Sequence, residues 1–447
     1  MGKAEDRNLL TVGDFRKKII LFALPIFIGN LFQQLYNTVD SLIVGNYLGP
    51  RALAAVSSTG SYVFLVIGFF IGLSMGAGTV IARNIGAGDR IQVERSVHTA
   101  VALGLTAAVL MSFFGVFCSE AVLKLMGTPA DVFPLSAAYL KVYFAGAAGL
   151  VMYNTFVGIL QAAGDSRHPL VYLIVSSVIN IFLDLLFVAV FHMGVEGAAL
   201  ATVISQIFSA LLAMRRLVRT DANYGLRIRK IGFDPFNLKE ILRFGVPTAV
   251  QACVVDLSNM MIQTYINSFG SMAMAGIGAY SKLEGFAFLP VSSFSIAMST
   301  FVSQNIGADN RERAGKGIVF GLLTAVLLIE AIGLTMYLFA PQLVSFFSRD
   351  PEVIVYGVGR AKVCTLFFCL MGFSNISSSI MRGLGKPVAP LVIMLVCWCA
   401  VRVIVLMTVG QVWHNILLVY WIYPFTWTLS SVTYILYYGR LKKQGVF

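Results

Sequence analysis

Charge is scarce in this chain. Asp, Glu, Lys and Arg make up 12% of its 447 residues, about half the share of a soluble domain. Acids are the scarcer sign, 21 against 33 basic residues. Histidine is rarer still. The four, His98, His168, His192 and His414, are too scattered for a metal site. The six cysteines form no CxxC pair and no Cys/His spacing, which excludes a zinc module or a disulfide framework. Most fall inside apolar runs and read as small buried hydrophobes. Neither glycine loop, Gly86–Gly88 or Gly307, carries the Lys-Ser/Thr of a phosphate cradle. Gly72-Leu73-Ser74-Met75-Gly76 spells GxSxG, but it lies in an apolar run with no strand before it, so no nucleophile elbow is expected. These absences argue against an enzyme and against any cofactor.

What is present is hydrocarbon. Hydrophobic residues are 58% of the chain and the mean hydropathy is +0.82. The apolar runs are long enough to cross about 30 Å of lipid as helix. Twelve helices are predicted, at roughly 19–44, 53–81, 96–118, 134–162, 170–191, 197–216, 241–266, 274–302, 317–340, 355–381, 388–409 and 415–438. The stretch Met1–Asp14 is short and polar and reads as no cleavable signal. The net charge of +12 does not indicate nucleic acid, because the basic residues gather in alternate loops. Arg16–Lys18, Arg83–Arg95, Arg167, Arg215–Lys230, Arg311–Lys316, Arg382–Lys386 and Arg440–Lys443 form one set. The intervening loops hold few, such as Arg51, Lys124 and Arg349. By the positive-inside rule both termini are expected in the cytoplasm, and a multi-pass plasma (inner) membrane protein is expected.

The chain reads as a duplication. A shift of 221 residues lays Asn46 and Gly49 on Asn267 and Gly270, and Asn84-Ile85-Gly86-Ala87 on Asn305-Ile306-Gly307-Ala308. It also lays Lys141, Asn154, Gly164 and Pro169 on Lys362, Asn375, Gly385 and Pro390. Pro25 meets Pro247 after a one-residue slip. The predicted organisation is a six-helix lobe at 1–216, a basic linker at 217–240 and a second six-helix lobe at 241–447. An even helix count gives both copies one orientation, related by an axis along the membrane normal.

Against this background a few polar residues stand out. Asp40 and Asp184 lie inside apolar spans, and Asn180 sits one turn before Asp184. An aspartate at mid-bilayer costs roughly 2.5–3.5 kcal/mol on insertion scales, so it is rarely there without a role or a partner. In the first span Gln33, Gln34, Tyr36 and Asn37 join Asp40, which points to a water-filled interior as substrate cavity. Pro25 removes a backbone hydrogen bond and Gly29 adds freedom, so a hinge is expected there. Thr202, in the small-residue run after Gly197, adds a hydroxyl. Asp40, Asn180, Asp184 and Thr202 form a hard-oxygen set suited to Na⁺. The same carboxyls suit H⁺, since lost water and mutual repulsion favour protonation. Asn154, Asp256 and Glu284 are further candidates for the substrate cavity. Asp256, Lys282, Glu284, Glu330 and Arg402 are second-half charges that also have a structural reading as internal pairs. Gly68, Gly72 and Gly76 read as a close-packing face.

Several segments together resemble the multidrug and toxic compound extrusion (MATE) family. They are the pattern from Pro25 to Asp40 followed by Val44-Gly45-Asn46-Tyr47-Leu48-Gly49, the loop Asn84-Ile85-Gly86-Ala87-Gly88-Asp89, Leu160-Gln161-Ala162-Ala163-Gly164-Asp165 ahead of Pro169, and the Asn180/Asp184/Thr202 set. The resemblance covers essentially the whole chain. It implies an all-α integral membrane fold of twelve transmembrane helices in two pseudo-symmetric six-helix bundles. It implies that Asp40, Asn180, Asp184 and Thr202 bind H⁺ or Na⁺, and that the first helix bends at Pro25 when they are occupied. Acids that some members carry on the seventh and tenth helices are matched only loosely, by Asp256, and in the tenth span by Ser374 and Asn375 instead of an acid.

The function expected is a secondary antiporter that exports amphipathic, often cationic compounds by alternating access, acting as a monomer. The alternative is a flippase for a lipid-linked anionic precursor, which would favour intramembrane Arg and Lys; Arg402 and Lys282 are its candidates. A membrane enzyme and a channel rank below both.

Overall fold

The computed structural model describes residues 9–445, without the side chains of Pro50, Ser58, Ser61, Phe64 and Leu65. Most of the polar stretch Met1–Asp14 lies outside the described residues. All regular structure among the described residues is helical. Among the described residues eleven helices are long and apolar enough to cross a membrane, and twelve spans result when one pair bent by 49° counts as a single crossing.

The spans are α1 (Phe15–Leu48), α2 (Pro50–Gly86), α3 (Arg90–Leu125), the bent α4 (Phe133–Ala145 and Ala147–Ala162), α5 (Arg167–Asp184, continued by a π-turn at Leu185–Val190) and α6 (Gly194–Arg219). The second series is α7 (Pro235–Asn267), α8 (Ser271–Gly307), α9 (Arg311–Leu338), α10 (Pro351–Cys364, a 3₁₀ turn at Thr365–Phe367, then Phe368–Gly383), α11 (Val388–Met394, a π-turn at Leu395–Ala400, then Val401–Val412) and α12 (Ile416–Lys443). The helices outrun the apolar segments expected from sequence. Arg83 and Arg95, read as loop residues, lie within α2 and α3. Polar residues at a membrane surface continue a helix readily, because water satisfies the side chains while the backbone keeps its i→i−4 bonds.

The duplication is visible in the turns. Gly49 and Gly270 both stand directly ahead of a helix, α2 and α8, with positive φ, 83° and 92°, a conformation open to glycine because it lacks Cβ. Asp89 caps α3 by accepting from the amides of Ile91 and Gln92. Asn310 caps α9 by accepting from Arg313 N. Each cap satisfies donors that a helix start leaves unpaired.

The chain divides into two compact units, one holding Leu24–Ala249 and the other Leu10–Ala23 with Val250 onward. Within the first unit the buried core has two clusters. One surrounds Ile81, Val97, Leu160, Leu217 and Phe244, and the other Val44, Leu140, Phe144, Val195 and Ala198. The segment 217–240 is tied down there. Arg227 N donates to the buried His98 Nε2 (3.0 Å) and Asp234 N to Thr99 Oγ1 (3.1 Å). A Cβ on Gly76 would stand 2.3 Å from the Gly245 Cα, and one on Gly72 2.4 Å from the Ala249 Cα. Those two glycines are the close-packing face of α2.

Within the second unit the start of the chain is clasped by the α8–α9 turn. Leu10 N donates to Gln304 Oε1 (2.8 Å), and Arg313 Nη1 donates to the Gly13 carbonyl (2.7 Å). The unit boundary falls at Leu24, so α1 begins in the second unit and continues in the first.

Candidate ion and substrate site

The first unit gathers its polar groups where α1, α4, α5 and α6 supply them. α1 runs unbroken through Pro25 and carries Tyr36 and Asp40 one turn apart. α5 carries Asn180 and Asp184 one turn apart, and both are fully buried, at 1% and 0% exposure. Asp40 and Asp184 face each other closely enough for their carboxyl groups to share a hydrogen bond. Such a bond requires one proton between the two groups, since two bare carboxylates only repel. Apart from the contact between the two acids, both oxygens of Asp184, Oδ1 of Asp40, and the Oδ1 and Nδ2 of Asn180 are buried with no hydrogen-bond partner among the described residues. Buried polar atoms are almost always partnered, so this concentration of orphans in one place is a functional signal.

The backbone adds a second signal. Directly after Asp184 the helix widens, and Phe191 N bonds to Leu186 O (2.9 Å) in an i→i−5 turn. Such turns recur at functional sites because they loosen the ladder and re-aim side chains.

Aromatic and amide groups line the acid pair. The Tyr36 hydroxyl lies against the side-chain amides of Gln33 and Gln206, and within electrostatic reach of both acids. Tyr139 and Tyr143, stacked with centroids 5.9 Å apart, also stand near Asp40. Sequence reasoning misses Gln206, Tyr139 and Tyr143. Gln206 sits one turn past Thr202 in a helix of small residues, and that spacing is the one clue the sequence offers. The tyrosine pair in α4 has no signal beyond an i,i+4 aromatic spacing.

The remaining candidates are dispersed. Thr202 is half-buried and its hydroxyl donates to the Ala198 carbonyl (3.1 Å). Gln34 is half-buried, while Gln33 and Asn37 are exposed. Gly29 rests on Leu170 and Leu173 of α5. Asn154 donates to Leu150 O and lines a pocket with Phe70, Ser74 and Met111. The free volume there is about 10 Å³, room for about one water molecule and far below a drug-sized site. Asp256 is half-buried beside Cys253 on α7. Glu284 belongs to the second unit, where Arg360 Nη2 stands 3.6 Å from its Oε2. Arg360 is not among the residues that the sequence singles out. Lys282 lies over the Phe347 ring, and Glu330 accepts from Cys369 N (2.7 Å), where α10 resumes after its 3₁₀ turn.

Comparison with known proteins agrees with this architecture. The MatE family model matches twice, over residues 25–186 and again over 247–408. "Probable multidrug resistance protein YoeA" of Bacillus subtilis (strain 168) is 30% identical over 441 residues, covering 93% of this chain and 95% of that protein. "Probable multidrug resistance protein YpnP" of the same organism is 29% identical over 402 residues, 88% of each chain. A solved structure described as MATE in the bent conformation superposes with a TM-score of 0.91 at 23% identity, covering 100% of this chain and 98% of that one. The chain is therefore a multi-pass membrane protein belonging to the MatE family, a family of transporters and not of enzymes.

Proposed function

We propose that the protein is a secondary antiporter that exports amphipathic, often cationic compounds in exchange for H⁺, from a plasma membrane with both termini in the cytoplasm and as a monomer. The observation that carries this reading is the facing pair in a lipid-spanning unit, Asp184 fully buried and Asp40 half-buried with its Oδ1 buried. A carboxyl pair that holds one shared proton carries one negative charge instead of two, and recovers the second on losing it. That switch supplies the differential affinity alternating access requires. In the proton-free state the pair and the ring faces of Tyr36, Tyr139 and Tyr143 suit an organic cation. Protonation weakens the attraction, and bending of α1 at Pro25, with Gly29 beside it, reshapes the pocket and releases the cation outward. Gln33, Gln34, Asn37 and Asn154 line the route on this reading. The names of the two Bacillus subtilis relatives agree with export of drugs.

Na⁺ is the second reading for the driver. It would take the oxygens of Asp40, Asn180 and Asp184, with Thr202 as fourth donor. The close approach of the two carboxyl groups favours the proton, while the Thr202 hydroxyl, which donates to Ala198, keeps its lone pairs for an ion. Each pH unit supplies about 1.4 kcal/mol, and each charge moved through 100 mV about 2.3 kcal/mol. One-for-one exchange of H⁺ for a monovalent cation cancels the voltage contribution and leaves the proton gradient alone as driver. The flippase alternative draws its support from buried arginines in the second unit.

The test is efflux of a fluorescent cation from proteoliposomes under separately imposed pH and Na⁺ gradients. A pH gradient without Na⁺ is expected to drive export. Export driven by Na⁺ alone would reject the proton, and unchanged coupled export in both Asp40→Asn and Asp184→Asn would reject the site.

A further inference from the structure

The second unit buries a group of charges that the export cycle above does not use. Arg360 (3% exposed) on α10 and Arg402 (1% exposed) on α11 lie in the interior of membrane-spanning helices. Both guanidinium groups sit over the Tyr423 ring of α12, at 4.5 and 4.4 Å from its centroid. Arg360 also stacks on Tyr280 at 4.9 Å, and Arg402 on Trp398 at 5.1 Å. Arg402 Nε donates to Thr426 Oγ1 (3.1 Å), and Nη1 reaches Asn259 Oδ1 at 3.4 Å. Its neighbours are themselves fixed. Trp398 Nε1 donates to Ser430, and Ser258 holds the Trp398 carbonyl. Five helices, α7, α8, α10, α11 and α12, therefore build one rigid aromatic-walled cluster.

Its charge does not balance. Glu284 is the acid beside these arginines, and at 3.6 Å from Arg360 its carboxylate lies beyond good hydrogen-bond range. Among the described residues no carboxylate stands within 4.0 Å of Arg402. Arg402 Nη2 and Arg360 Nε are buried without a hydrogen-bond partner among the described residues. Two guanidiniums against one carboxylate leave a net single positive charge in low dielectric. Buried charges are normally paired, and a forked guanidinium is shaped for a carboxylate.

We propose that Arg360 and Arg402 form a binding site for one monovalent anion, and that its ligand is the carboxylate of a flat aromatic compound. The charge count sets the valence, since one negative charge restores neutrality and a dianion would overshoot it. The orphaned N–H groups supply the donors. Tyr280, Trp398 and Tyr423 supply apolar walls for an aromatic body once Glu284 yields its place at Arg360. The proposal goes beyond the export reading and does not depend on the acid pair.

The test uses the full-length protein in detergent and chloride-free sulfate buffer, titrated calorimetrically with 2-naphthoate and, separately, with chloride. Saturable one-to-one binding of naphthoate is expected. Arg402→Gln should weaken it at least about tenfold, a loss of about 1.4 kcal/mol. Glu284→Gln should tighten it, because it removes the competing carboxylate; a purely structural role for the cluster does not give that opposite sign. Asp184→Asn should bind naphthoate as the wild type does, which separates this site from the coupling site. Should Arg402→Gln fail to fold, the tightening in Glu284→Gln and a naphthoate-induced rise in Tm of the wild type carry the same test. Binding of chloride without naphthoate would overturn the carboxylate assignment and make the site inorganic. Absence of binding by either anion in both wild type and Glu284→Gln would overturn the proposal.

Discussion

The two units start from one duplicated helical frame and put opposite charge into it. In the first, Asp40 and Asp184 meet across α1 and α5 with tyrosines around them. In the second, the positions matching Asp40 are Met261 or Ile262, and those matching Asp184 are Val405 or Leu406, all apolar on either offset. The second unit instead buries Arg360 and Arg402 against Tyr423. Both fifth spans contain a π-turn, but it follows Asp184 in α5 and precedes Arg402 in α11. A π-turn adds one residue to a helix and rotates everything beyond it. On the offset given by Pro25 and Pro247, this brings Arg402 to the place of Asn180. In α5 the π-turn lies beyond both Asn180 and Asp184, whereas in α11 it lies ahead of Arg402. Duplication conserves the frame, and small insertions within it redistribute the chemistry.

That contrast can be broken by mutation. The largest effect is expected from neutralising one acid in each unit. Asp184→Asn should cut proton-driven cation efflux by at least about tenfold, equivalent to about 1.4 kcal/mol. Glu284→Gln should leave it within about twofold, well under 1 kcal/mol. Equal losses would mean that both units couple. Next comes stability. Arg360→Met leaves Glu284 without its charge partner, and breaking a buried pair costs about 3–5 kcal/mol. Because the Glu284 side chain keeps 20% exposure, the lower end is expected, seen as a fall in Tm of detergent-solubilised protein. The Arg360→Met, Glu284→Leu double variant should recover most of that loss.

Packing gives a smaller expected effect. Gly76→Ala places a methyl against the Gly245 backbone, and overpacking of this kind costs about 1–3 kcal/mol. Gly278→Ala in the second unit meets open space and should be neutral or slightly stabilising in the same melt. The smallest effect is expected at Thr202. A proton-driven cycle needs no ligand from Thr202, so Thr202→Val should change cation efflux by less than about twofold, while Gln206→Leu, which removes an amide beside Tyr36, should change it more. A larger loss in Thr202→Val under a Na⁺ gradient would restore Thr202 to the ion site.

Much of this molecule is legible in its sequence. The twelve spans follow from hydropathy, the repeat from a constant register, and Asp40, Asn180 and Asp184 from the cost of polar groups in lipid. The π-turns are not legible, since an i→i+5 turn leaves no compositional mark in a run such as Leu185–Val190. Tyr139 and Tyr143 look like ordinary span aromatics until their helix is placed beside α1. Arg360 escapes notice because it stands two turns past Arg349-Asp350-Pro351-Glu352 and two residues ahead of Lys362, and nothing local separates a buried arginine there from a surface one. Its partner Glu284 stands out only as one of two charges in α8, with Lys282. The helix ends run long because solvated charges do not stop a helix.

The most direct measurement counts protons at the acid pair. A pH indicator in weakly buffered detergent solution, at pH about 7 and without Na⁺, reports H⁺ released when the purified protein binds a permanently charged aromatic cation. The account predicts release of about one proton per cation bound by the wild type, as expected of a coupled carboxyl pair, and none from the Asp40→Asn, Asp184→Asn double variant. Equal release from both proteins, or cation binding by the wild type with no proton released, would contradict it.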